Sequence, residues 1–305
     1  YKYLPFSPGS FMFPSHPLAT YLKQVTPPER VYGYDTARIE TNFPTAWRIY
    51  SPEGYDPLYI RRYGELLFAA EKGKYEPLIP RSDALFTSSL PRFDTDRKQR
   101  LMNLLGVGYA VDKNDGAQGT YEPEYDRFPS ERYHLIWQRG KYKVYKNLLV
   151  LPRSAVFYDW EVVPGNEQAV NRVLSQDFPY RQKLVLEKSV SITPSRQKPT
   201  PAHIREYEAN RVDVEVRTKA DGILFLSDAY YPGWNVYVDS QKSEIIPVNH
   251  ALRGVPVSSG NHTVSFRYEP VSFKIGAGVS LLSLVIVGII FVETGERKQL
   301  NYTKK

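Results

Sequence analysis

Apolar and polar residues alternate along much of the chain between residues 202 and 270. The clearest case is VDVEVR at 212–217, where three valines alternate with charged side chains. A period of two is typical of a strand with one buried face. Comparable segments predict strands at 204–209, 211–218, 222–227, 235–238, 243–247, 252–257 and 262–268. This density of short strands and turns favours a small immunoglobulin-like β-sandwich over residues 202–270.

The preceding part of the chain mixes helical and strand patterns. Helical spacing and end signals predict helices at 16–24, 58–72, 96–105 and 165–174. Gly106 ends the third of these, and Asn166 is the predicted cap of the fourth. Apolar and alternating runs predict strands at 30–33, 107–111, 134–138, 141–146, 155–163 and 185–187. The chain is therefore predicted to be α+β, with a mixed α/β domain over residues 31–190.

Two proline-rich segments divide these patterns. Residues 1–30 are rich in proline and aromatic residues, which is typical of a linker that leaves a membrane and enters a domain. Residues 191–201 read SITPSRQKPTP and predict a polar hinge. The hinge is the predicted boundary between the α/β domain and the sandwich.

Close to the C-terminus the alternation gives way to a continuous apolar run. Residues 275–292 read IGAGVSLLSLVIVGIIFV and carry no charge. As a helix this run is roughly 27 Å long, close to the ~30 Å hydrocarbon core of a bilayer. A buried core helix is the alternative, but such helices usually have a polar face, and this run offers only Ser280 and Ser283. We therefore predict a transmembrane helix over residues 271–293.

The charges that flank this run predict its orientation. Residues 294–305 contain Arg297, Lys298, Lys304 and Lys305. The positive-inside rule then places this tail in the cytoplasm and the bulk of the chain outside the cell. No export signal precedes the exported part in the sequence, so we expect further membrane spans upstream of Tyr1.

Composition narrows the chemistry that the chain can perform. The chain has 305 residues, a net charge of +7 and no cysteine, which excludes disulfides, thiolate zinc sites and a cysteine nucleophile. The basic residues are scattered, and no ribonucleoprotein or zinc-finger pattern occurs, so no nucleic-acid partner is expected. A basic exterior that faces anionic lipid or an envelope polyanion remains open beside a merely solvated one.

No common catalytic motif is present. The sequence lacks a P-loop, a GxSxG elbow and an HExxH motif, and its five histidines are dispersed. We therefore expect no metal site and no cofactor in this segment. Asp94 and Asp96 form a D-x-D pattern, but they directly precede a predicted helix, which favours an N-cap over a metal ligand. Glu122, Glu124 and Asp126 are interpreted as a solvated acidic loop in preference to a calcium site.

The segment SDAYYPGW is the densest group of unusual residues. Asp228, Tyr230, Tyr231 and Trp234 together predict a platform on which a sugar ring stacks. The alternative is a strand end followed by a turn, with Trp234 in the sandwich core and Asp228 bonded to backbone amides. Arg253 is a weaker candidate for the same contact surface.

Longer motifs around this segment carry a family resemblance. LSDAYYPGWNVYVD at 226–239 and VNHALRGVPVSSGNHTVSFRYEP at 248–270, followed by the apolar run, resemble the end of bacterial YfhO-type membrane proteins. EGYDPLY at 53–59 and LLGVGY at 104–109 also resemble segments of that family. Ser240 and the SSG turn at 258–260 depart from its usual pattern.

The resemblance implies a glycosyltransferase of the GT-C type. Such proteins have many N-terminal spans, an upstream acidic catalytic residue and a polyprenyl-phosphate sugar as donor, and members are linked to envelope polymers of the lipoteichoic-acid type. The implied partners are the N-terminal membrane bundle, the donor, the polymer and the bilayer. The resemblance assigns no catalytic residue to this chain, and it leaves open a divalent metal in the longer protein.

Three residues are predicted to line the mouth of such an active site. Asp56, Arg61 and Arg62 lie where the GYDPLY loop leads into a basic helix, and the start of a helix can meet a phosphate. Ordinary capping and helix-surface roles are the alternative for each residue.

Whether the chain belongs to an enzyme stays open at this point. One alternative is a membrane-anchored, non-enzymatic surface protein that binds a glycan or a partner. Another is a structural scaffold within a larger envelope assembly.

Overall fold

A computed structural model describes residues 15–25, 27–39, 42–54, 59–79, 96–114 and 128–302. These residues form a mixed α+β structure with three sheets and one long C-terminal helix. The predicted fold class is confirmed at this level.

The helices are α1 (Pro17–Val25), α2 (Phe43–Ala46), α3 (Arg61–Lys72), α4 (Asp96–Leu104), α5 (Asn166–Leu174) and α6 (Val271–Tyr302). Four of them, α1, α3, α4 and α5, agree with the predicted segments to within a few residues. Helix α2 was not predicted, and α6 extends beyond the predicted end at residue 293. The predicted Asn166 cap was wrong. Gly165 holds the cap position of α5 at φ +94°, no side chain caps the helix, and Asn166 is already its first helical residue.

The strands, in chain order, are β1 (Arg30–Gly33), β2 (Val107–Lys113), β3 (Tyr133–Arg139), β4 (Tyr142–Asn147), β5 (Ser154–Phe157), β6 (Asp159–Val162), β7 (Lys183–Leu186), β8 (Thr200–Pro201), β9 (His203–Glu208), β10 (Arg211–Thr218), β11 (Gly222–Ala229), β12 (Trp234–Val238), β13 (Gln241–Ser243), β14 (Ile246–Val248), β15 (Leu252–Val257) and β16 (Gly260–Tyr268). They form sheets with the orders β1-β2-β4-β3, β13-β12-β16-β10-β9 and β6-β7-β14-β15-β11-β5-β8.

The seven-stranded sheet curls back on itself. Tyr158 alone separates β5 from β6, yet four strands lie between them in the sheet order. The ends of the sheet must therefore approach each other. The single strand predicted at 155–163 was wrong for this reason, because the chain changes its pairing partners at Tyr158.

One face of this curled sheet covers the larger apolar core. Phe157 and Phe225 from the sheet, Leu66 from α3, Leu101 from α4 and Val170 from α5 are all buried in it. Burying side chains of this size contributes roughly 1.5–3 kcal/mol each. The helices and the seven-stranded sheet are therefore held as one packed unit.

The opposite face packs against the five-stranded sheet. Val212, Val214 and Val216 of β10 meet Leu224 and Leu226 of β11 in a second core. This confirms that the alternating valines form a buried strand face. The immunoglobulin-like sandwich is not confirmed, because one of its two sheets includes β5 to β8, which precede residue 202. The domain limits around the 191–201 segment stay predictions.

Helix α6 leaves the folded part directly from β16. Its stretch Val271–Phe291 has 21 residues, a mean hydropathy of 2.2 and no residue buried against the remainder of the chain. Twenty-one residues span about 31 Å as a helix, which is enough to cross a bilayer. Only Glu269 and Pro270 separate α6 from β16, so the end of β16 lies close to the start of the apolar stretch.

Candidate functional site

A cavity of about 550 Å³ lies between the segment 42–53 and one end of the two packed sheets. We call it the Asp228 pocket. Its walls are Asn42, Pro44, Thr45, Arg48, Ile49, Tyr50, Ser51, Glu53, Tyr207, Glu208, Ala209, Val212, Asp228, Ala229, Trp234 and Arg253. A cavity of this volume is large enough for a ligand of one or two sugar-sized units.

The Asp228 pocket lies near the start of the membrane-spanning stretch. Trp234, which lines the pocket, pairs with Tyr268 across β12 and β16. Tyr268 precedes Val271 by three residues, which is about 10 Å of extended chain. A ligand in the pocket is therefore within reach of a membrane surface.

An irregularity in β11 places Asp228 in this pocket. Leu226 pairs with Arg253 and Ala229 pairs with Leu252, so Ser227 and Asp228 are additional residues on one side of the ladder. A β-bulge of this kind redirects a side chain. Asp228 Oδ1 accepts hydrogen bonds from Arg153 Nη2 at 2.6 Å, Arg30 Nη2 at 3.0 Å and the Tyr207 hydroxyl at 2.9 Å. The predicted bonding of Asp228 to backbone amides was wrong, because these side chains surround the carboxylate.

The charges around Asp228 keep its carboxyl ionised. Burial raises the pKa of the carboxyl, but the guanidinium groups of Arg153, Arg30 and Arg253 outweigh burial and hold its pKa at about 2. Asp228 is therefore a permanent anion at neutral pH.

Glycine provides the space for one of these arginines. Gly106 follows α4 at φ +66°, a left-handed conformation that glycine tolerates. A Cβ atom at Gly106 would collide with Cδ of Arg153. The glycine that ends α4 therefore also allows the Arg153 guanidinium to reach Asp228.

Three guanidinium groups surround this single carboxylate. Arg30, Arg153 and Arg253 are all largely buried, with Arg153 only 2% and Arg253 only 4% exposed. Burial lowers the pKa of Arg253, and burial together with repulsion from Arg153 lowers the pKa of Arg30. The arrangement therefore holds more buried positive charge than Asp228 compensates.

Aromatic rings form the remaining walls. The guanidinium of Arg253 lies 3.9 Å from the centroid of the Trp234 ring, a cation–π contact. Tyr50 and Tyr207 meet edge to face with centroids 5.0 Å apart. Trp234 also packs on the second apolar core. The structural and the pocket-lining interpretations of Trp234 therefore hold together.

A second buried network lies around His250. Its Nε2 is 2.8 Å from Oε2 of Glu65, and its Nδ1 is 3.1 Å from Oε1 of Glu187. Arg62 donates hydrogen bonds from both terminal nitrogens to the carboxylate of Glu187, at 2.6 and 2.9 Å. Arg61 donates its Nε to Glu65 at 2.8 Å. We call these five side chains the His250 cluster.

Each ring nitrogen of His250 faces a glutamate oxygen, Nδ1 that of Glu187 and Nε2 that of Glu65. Burial raises the pKa of Glu187, but hydrogen bonds from His250 and Arg62 outweigh burial and hold that pKa at about 2. The cluster thereby links α3 with the sheet through buried charge.

The predicted site residues fall into two groups. Asp228, Trp234 and Arg253 meet in the Asp228 pocket. Arg61 and Arg62 belong to the His250 cluster, where Arg62 also lies 5.9 Å from the ring centroid of Tyr230.

Two further predicted contact residues, Tyr231 and Asp56, belong to neither group. Tyr231 is 43% exposed, with its ring centroid 6.5 Å from that of Tyr268. Asp56 lies outside the described residues. The contact roles of the predicted residues stay predictions.

Sequence reasoning missed most of the partners in these networks. Arg30, Arg153 and Tyr207 in one, and Glu65, Glu187 and His250 in the other, were not identified as candidates. Asn249 and His250 adopt positive φ values of 47° and 68°. A histidine beside an asparagine in a turn was the available signal, because both tolerate the left-handed region.

Of the acidic motifs singled out in the sequence, the structure describes only Asp96. Asp96 begins α4, and its Oδ2 accepts a hydrogen bond from Gln176 at 2.6 Å. Asp94, Glu122, Glu124 and Asp126 lie outside the described residues. Within the ranges that the structure describes, no group of three His, Asp or Glu side chains is arranged to hold a metal ion.

Comparisons with known proteins agree with the motif resemblance. Residues 188–280 match the family model described as "Bacterial membrane protein YfhO". No curated protein matches the chain significantly. A solved structure, the arabinofuranosyltransferase AftD from mycobacteria, is similar at 16% identity with a TM-score of 0.22, covering 26% of this chain and 6% of that one. Such a low TM-score assigns no fold.

Two features thus associate the chain with a membrane. One is the family match, and the other is the helix α6 with its apolar stretch of membrane-spanning length. The predicted resemblance is confirmed where the family model applies: over residues 188–280 this chain is YfhO-like.

Proposed function

We propose that this chain is the extracytoplasmic C-terminal region, with the last membrane helix, of a YfhO-like glycosyltransferase of the GT-C type. The donor is a polyprenyl-phosphate sugar, and the acceptor is a cell-envelope polymer of the lipoteichoic-acid type. Catalytic residues lie outside this chain, and the basic tail after α6 faces the cytoplasm. The family match, the membrane helix and the motifs at 226–239 and 248–270 support this proposal.

One observation carries the proposed role of this chain within the enzyme. The Asp228 pocket combines aromatic walls with charged and hydroxyl groups, and its lining residue Trp234 pairs with Tyr268, which precedes the apolar stretch by three residues. A lipid-linked donor stays in the membrane, so its acceptor has to be held at the membrane surface. The pocket is placed to hold that acceptor.

The reaction itself needs little from these residues. In a transfer of this kind the acceptor hydroxyl attacks the anomeric carbon of the sugar and the polyprenyl phosphate leaves, while an acid upstream takes the hydroxyl proton. The contribution of this chain is to position the acceptor hydroxyl, because correct orientation lowers the barrier for a bimolecular step.

The test uses the chain, with α6, in a lipid nanodisc. We expect an oligosaccharide fragment of the envelope polymer to bind to it, and Trp234→Ala to weaken binding at least about tenfold while the fold is retained. Trp137→Ala is the matched control, since Trp137 belongs to β3 of another sheet, where it stacks on Tyr21 of α1. Equal affinity in wild type and Trp234→Ala contradicts the role of the pocket.

Catalysis is tested separately. We expect no glycosyl transfer from a polyprenyl-phosphate donor by this chain alone, and transfer once the upstream membrane segments are present. Robust turnover by this chain alone would overturn the assignment of catalysis to residues outside it.

A membrane-anchored surface protein without enzymatic activity is the second candidate. It is favoured by the fact that the described residues of this chain form a pocket with aromatic and charged walls, which is suited to binding. This candidate is supported if the longer protein has a single signal peptide before residue 1. It fails if many hydrophobic spans precede this chain.

A further inference from the structure

The connection between β11 and β12 lies beside the point where the chain enters α6. We call its residues 230–233 the Tyr231 turn. The backbone N–H of Glu269 donates a hydrogen bond to the carbonyl oxygen of Gly233 at 2.7 Å. Glu269 precedes Val271, the first residue of the apolar stretch, by two residues. The Tyr231 turn is therefore fixed to the last residues before the membrane helix.

Close packing holds the turn at this position. Gly233 has φ +95°, a conformation that glycine tolerates. A Cβ atom at Gly233 would lie 2.9 Å from a ring carbon of Tyr268 and 3.2 Å from Cβ of Pro270. A larger residue at position 233 would thus push the turn away from the start of α6. The glycine keeps the turn packed against Pro270.

The exposed side of the turn is aromatic and uncharged. Tyr231 is 43% exposed, and Pro232 is exposed beside it. The ring centroid of Tyr268 lies 6.5 Å from that of Tyr231 and 5.4 Å from that of Trp234. Tyrosine and tryptophan are enriched where a protein crosses the interface between membrane and water. The composition of this surface is therefore typical of an interfacial contact.

The acidic side chain next to α6 is directed away from the helix. Oε2 of Glu269 accepts a hydrogen bond from Asn235 at 3.1 Å and lies 3.4 Å from the Tyr237 hydroxyl. Because β12 runs antiparallel to β16, Asn235 and Tyr237 lie farther from α6 than Trp234 does. Lys274, in the first turn of α6, is exposed, and a lysine at a helix end can extend to lipid phosphates. The charges beside the turn therefore do not oppose contact with a phospholipid surface.

We propose that the Tyr231 turn lies in the headgroup region of the bilayer that α6 enters, with Tyr231 as a second anchor beside the helix. The partner of this surface is a phospholipid bilayer, because the turn continues the apolar surface of α6. Val271 and Phe273, at the start of that helix, are 68% and 74% exposed. The inference does not depend on the proposed function, since it needs only that α6 lies in a bilayer.

Such a contact fixes the height of the Asp228 pocket above the bilayer. Ala229 and Trp234 line the pocket, and they flank the Tyr231 turn on its two sides in the sequence. A helix alone would leave the packed sheets free to pivot about residues 269–270. A second attachment beside the helix restricts this motion, so the pocket is held next to the headgroups.

The experiment uses fluorescent labels on single cysteines, since the chain has no cysteine of its own. Labelled Pro232→Cys is placed in phosphatidylcholine nanodiscs, and its quenching by a nitroxide on the lipid headgroup is measured. We expect the emission to fall by about half or more, because interfacial segments lie within about 5–10 Å of the boundary between headgroups and acyl chains. Ser280→Cys, inside α6, is the depth reference and should be quenched by a nitroxide near the end of the acyl chain.

Two controls use the opposite end of β16. Ser258 is exposed there, and the nine residues of β16 span about 27 Å. Labelled Ser258→Cys should show little quenching by either nitroxide. Adding Tyr231→Asp to Pro232→Cys should reduce headgroup quenching at least about twofold, because a carboxylate is costly to bury in the interface. Ser258→Asp adds the same charge at the distant end and should leave that quenching unchanged. If Pro232→Cys fails to fold, labelled Tyr231→Cys replaces it, because that side chain is exposed.

Several results would overturn the inference. One is the absence of headgroup quenching at residue 232 while residue 280 is quenched, which would leave the turn to a protein partner. Others are equal quenching at residues 232 and 258, and unchanged quenching in folded Tyr231→Asp. Absence of acyl-chain quenching at residue 280 would also overturn it, because α6 would then lie outside the bilayer. Oligosaccharide binding that depends on Trp234 is compatible with each of these results, so the failure of this inference is distinguishable from the failure of the proposed function.

Discussion

The Asp228 pocket and the His250 cluster are both networks of buried charge, but they are completed differently. In the His250 cluster two glutamates face two arginines and one histidine, and these groups pair with one another. In the Asp228 pocket three arginines converge on one aspartate beside a cavity. Strongly shifted pKa values occur in structural ion-pair networks as well as in binding sites. Surplus charge next to open space distinguishes the second from the first.

The largest loss of stability is expected from a substitution in the His250 cluster. His250→Ala leaves Glu65, which is 1% exposed, without its imidazole partner. Removing one member of a buried ionic network typically costs about 3–5 kcal/mol. Denaturant unfolding should show this loss, with no specific change in ligand binding beyond it. His262→Gln is the control, because His262 pairs with Asp239 at an exposed turn, and it should cost less than about 1 kcal/mol. A loss as small as that of the control would mean that the cluster does not hold α3 to the sheet.

A different result is expected from Asp228→Asn. It removes the only carboxylate that compensates the three guanidinium groups, so stability should fall by about 2–4 kcal/mol. Asp213→Asn, which changes an aspartate paired with the half-exposed Arg211 on β10, is the matched control and should cost less. Equal losses of stability in the two variants would contradict the charge comparison.

Acid should weaken both networks in one pH range. The pKa of Asp228 and of Glu187 is about 2 in the folded chain, below the ordinary values of 3.8 and 4.5. A depressed pKa contributes stability that is present above the unfolded value and lost as pH falls through the folded value. These shifts correspond to about 2 kcal/mol for Asp228 and about 3 kcal/mol for Glu187, lost between about pH 4.5 and pH 2. The free energy of unfolding should change less with pH over this range in Asp228→Asn than in wild type. Identical pH profiles would show that Asp228 is not held ionised by its arginines.

The smallest effect is expected from Tyr207→Phe. It removes the hydrogen bond that the hydroxyl donates to Asp228 and the one that it accepts from Arg153, and it keeps the ring against Tyr50. Stability should therefore fall by about 1–2 kcal/mol. Tyr237→Phe, whose hydroxyl lies 3.4 Å from Glu269, is the matched control and should change stability less. Thermal unfolding measures both. An effect above that of Asp228→Asn would mean that the hydroxyl has a partner more important than the carboxylate.

Local patterns predicted the elements better than the contacts between them. The strands Arg211–Thr218 and Leu252–Val257 have the predicted limits, and α4 ends at Leu104, two residues before the predicted stop at Gly106. The strand predicted at 155–163 failed, because its division at Tyr158 depends on which strands arrive on each side. The partners of a strand are segments that are distant in the sequence. The periodicity of one segment carries no information about them.

The candidate site shows the same limit. Asp228, Trp234 and Arg253 were recognisable in the sequence as unusual residues, and they do meet in one pocket. Their partners Arg30 and Arg153 stand in segments with no distinguishing pattern. A buried arginine has the same appearance in a sequence as an exposed one.

The sequence by itself determined the apolar helix α6, the alternating strands and the YfhO-like motifs, because each depends on residues that are neighbours along the chain. The tertiary structure decided the rest. Arg30, Arg153, Asp228 and Arg253 come from four separate strand regions, and only the curled sheet and its bulge bring them together. Charge balance is a property of residues that are close in space, so the surplus that marks the pocket could emerge only in the folded chain.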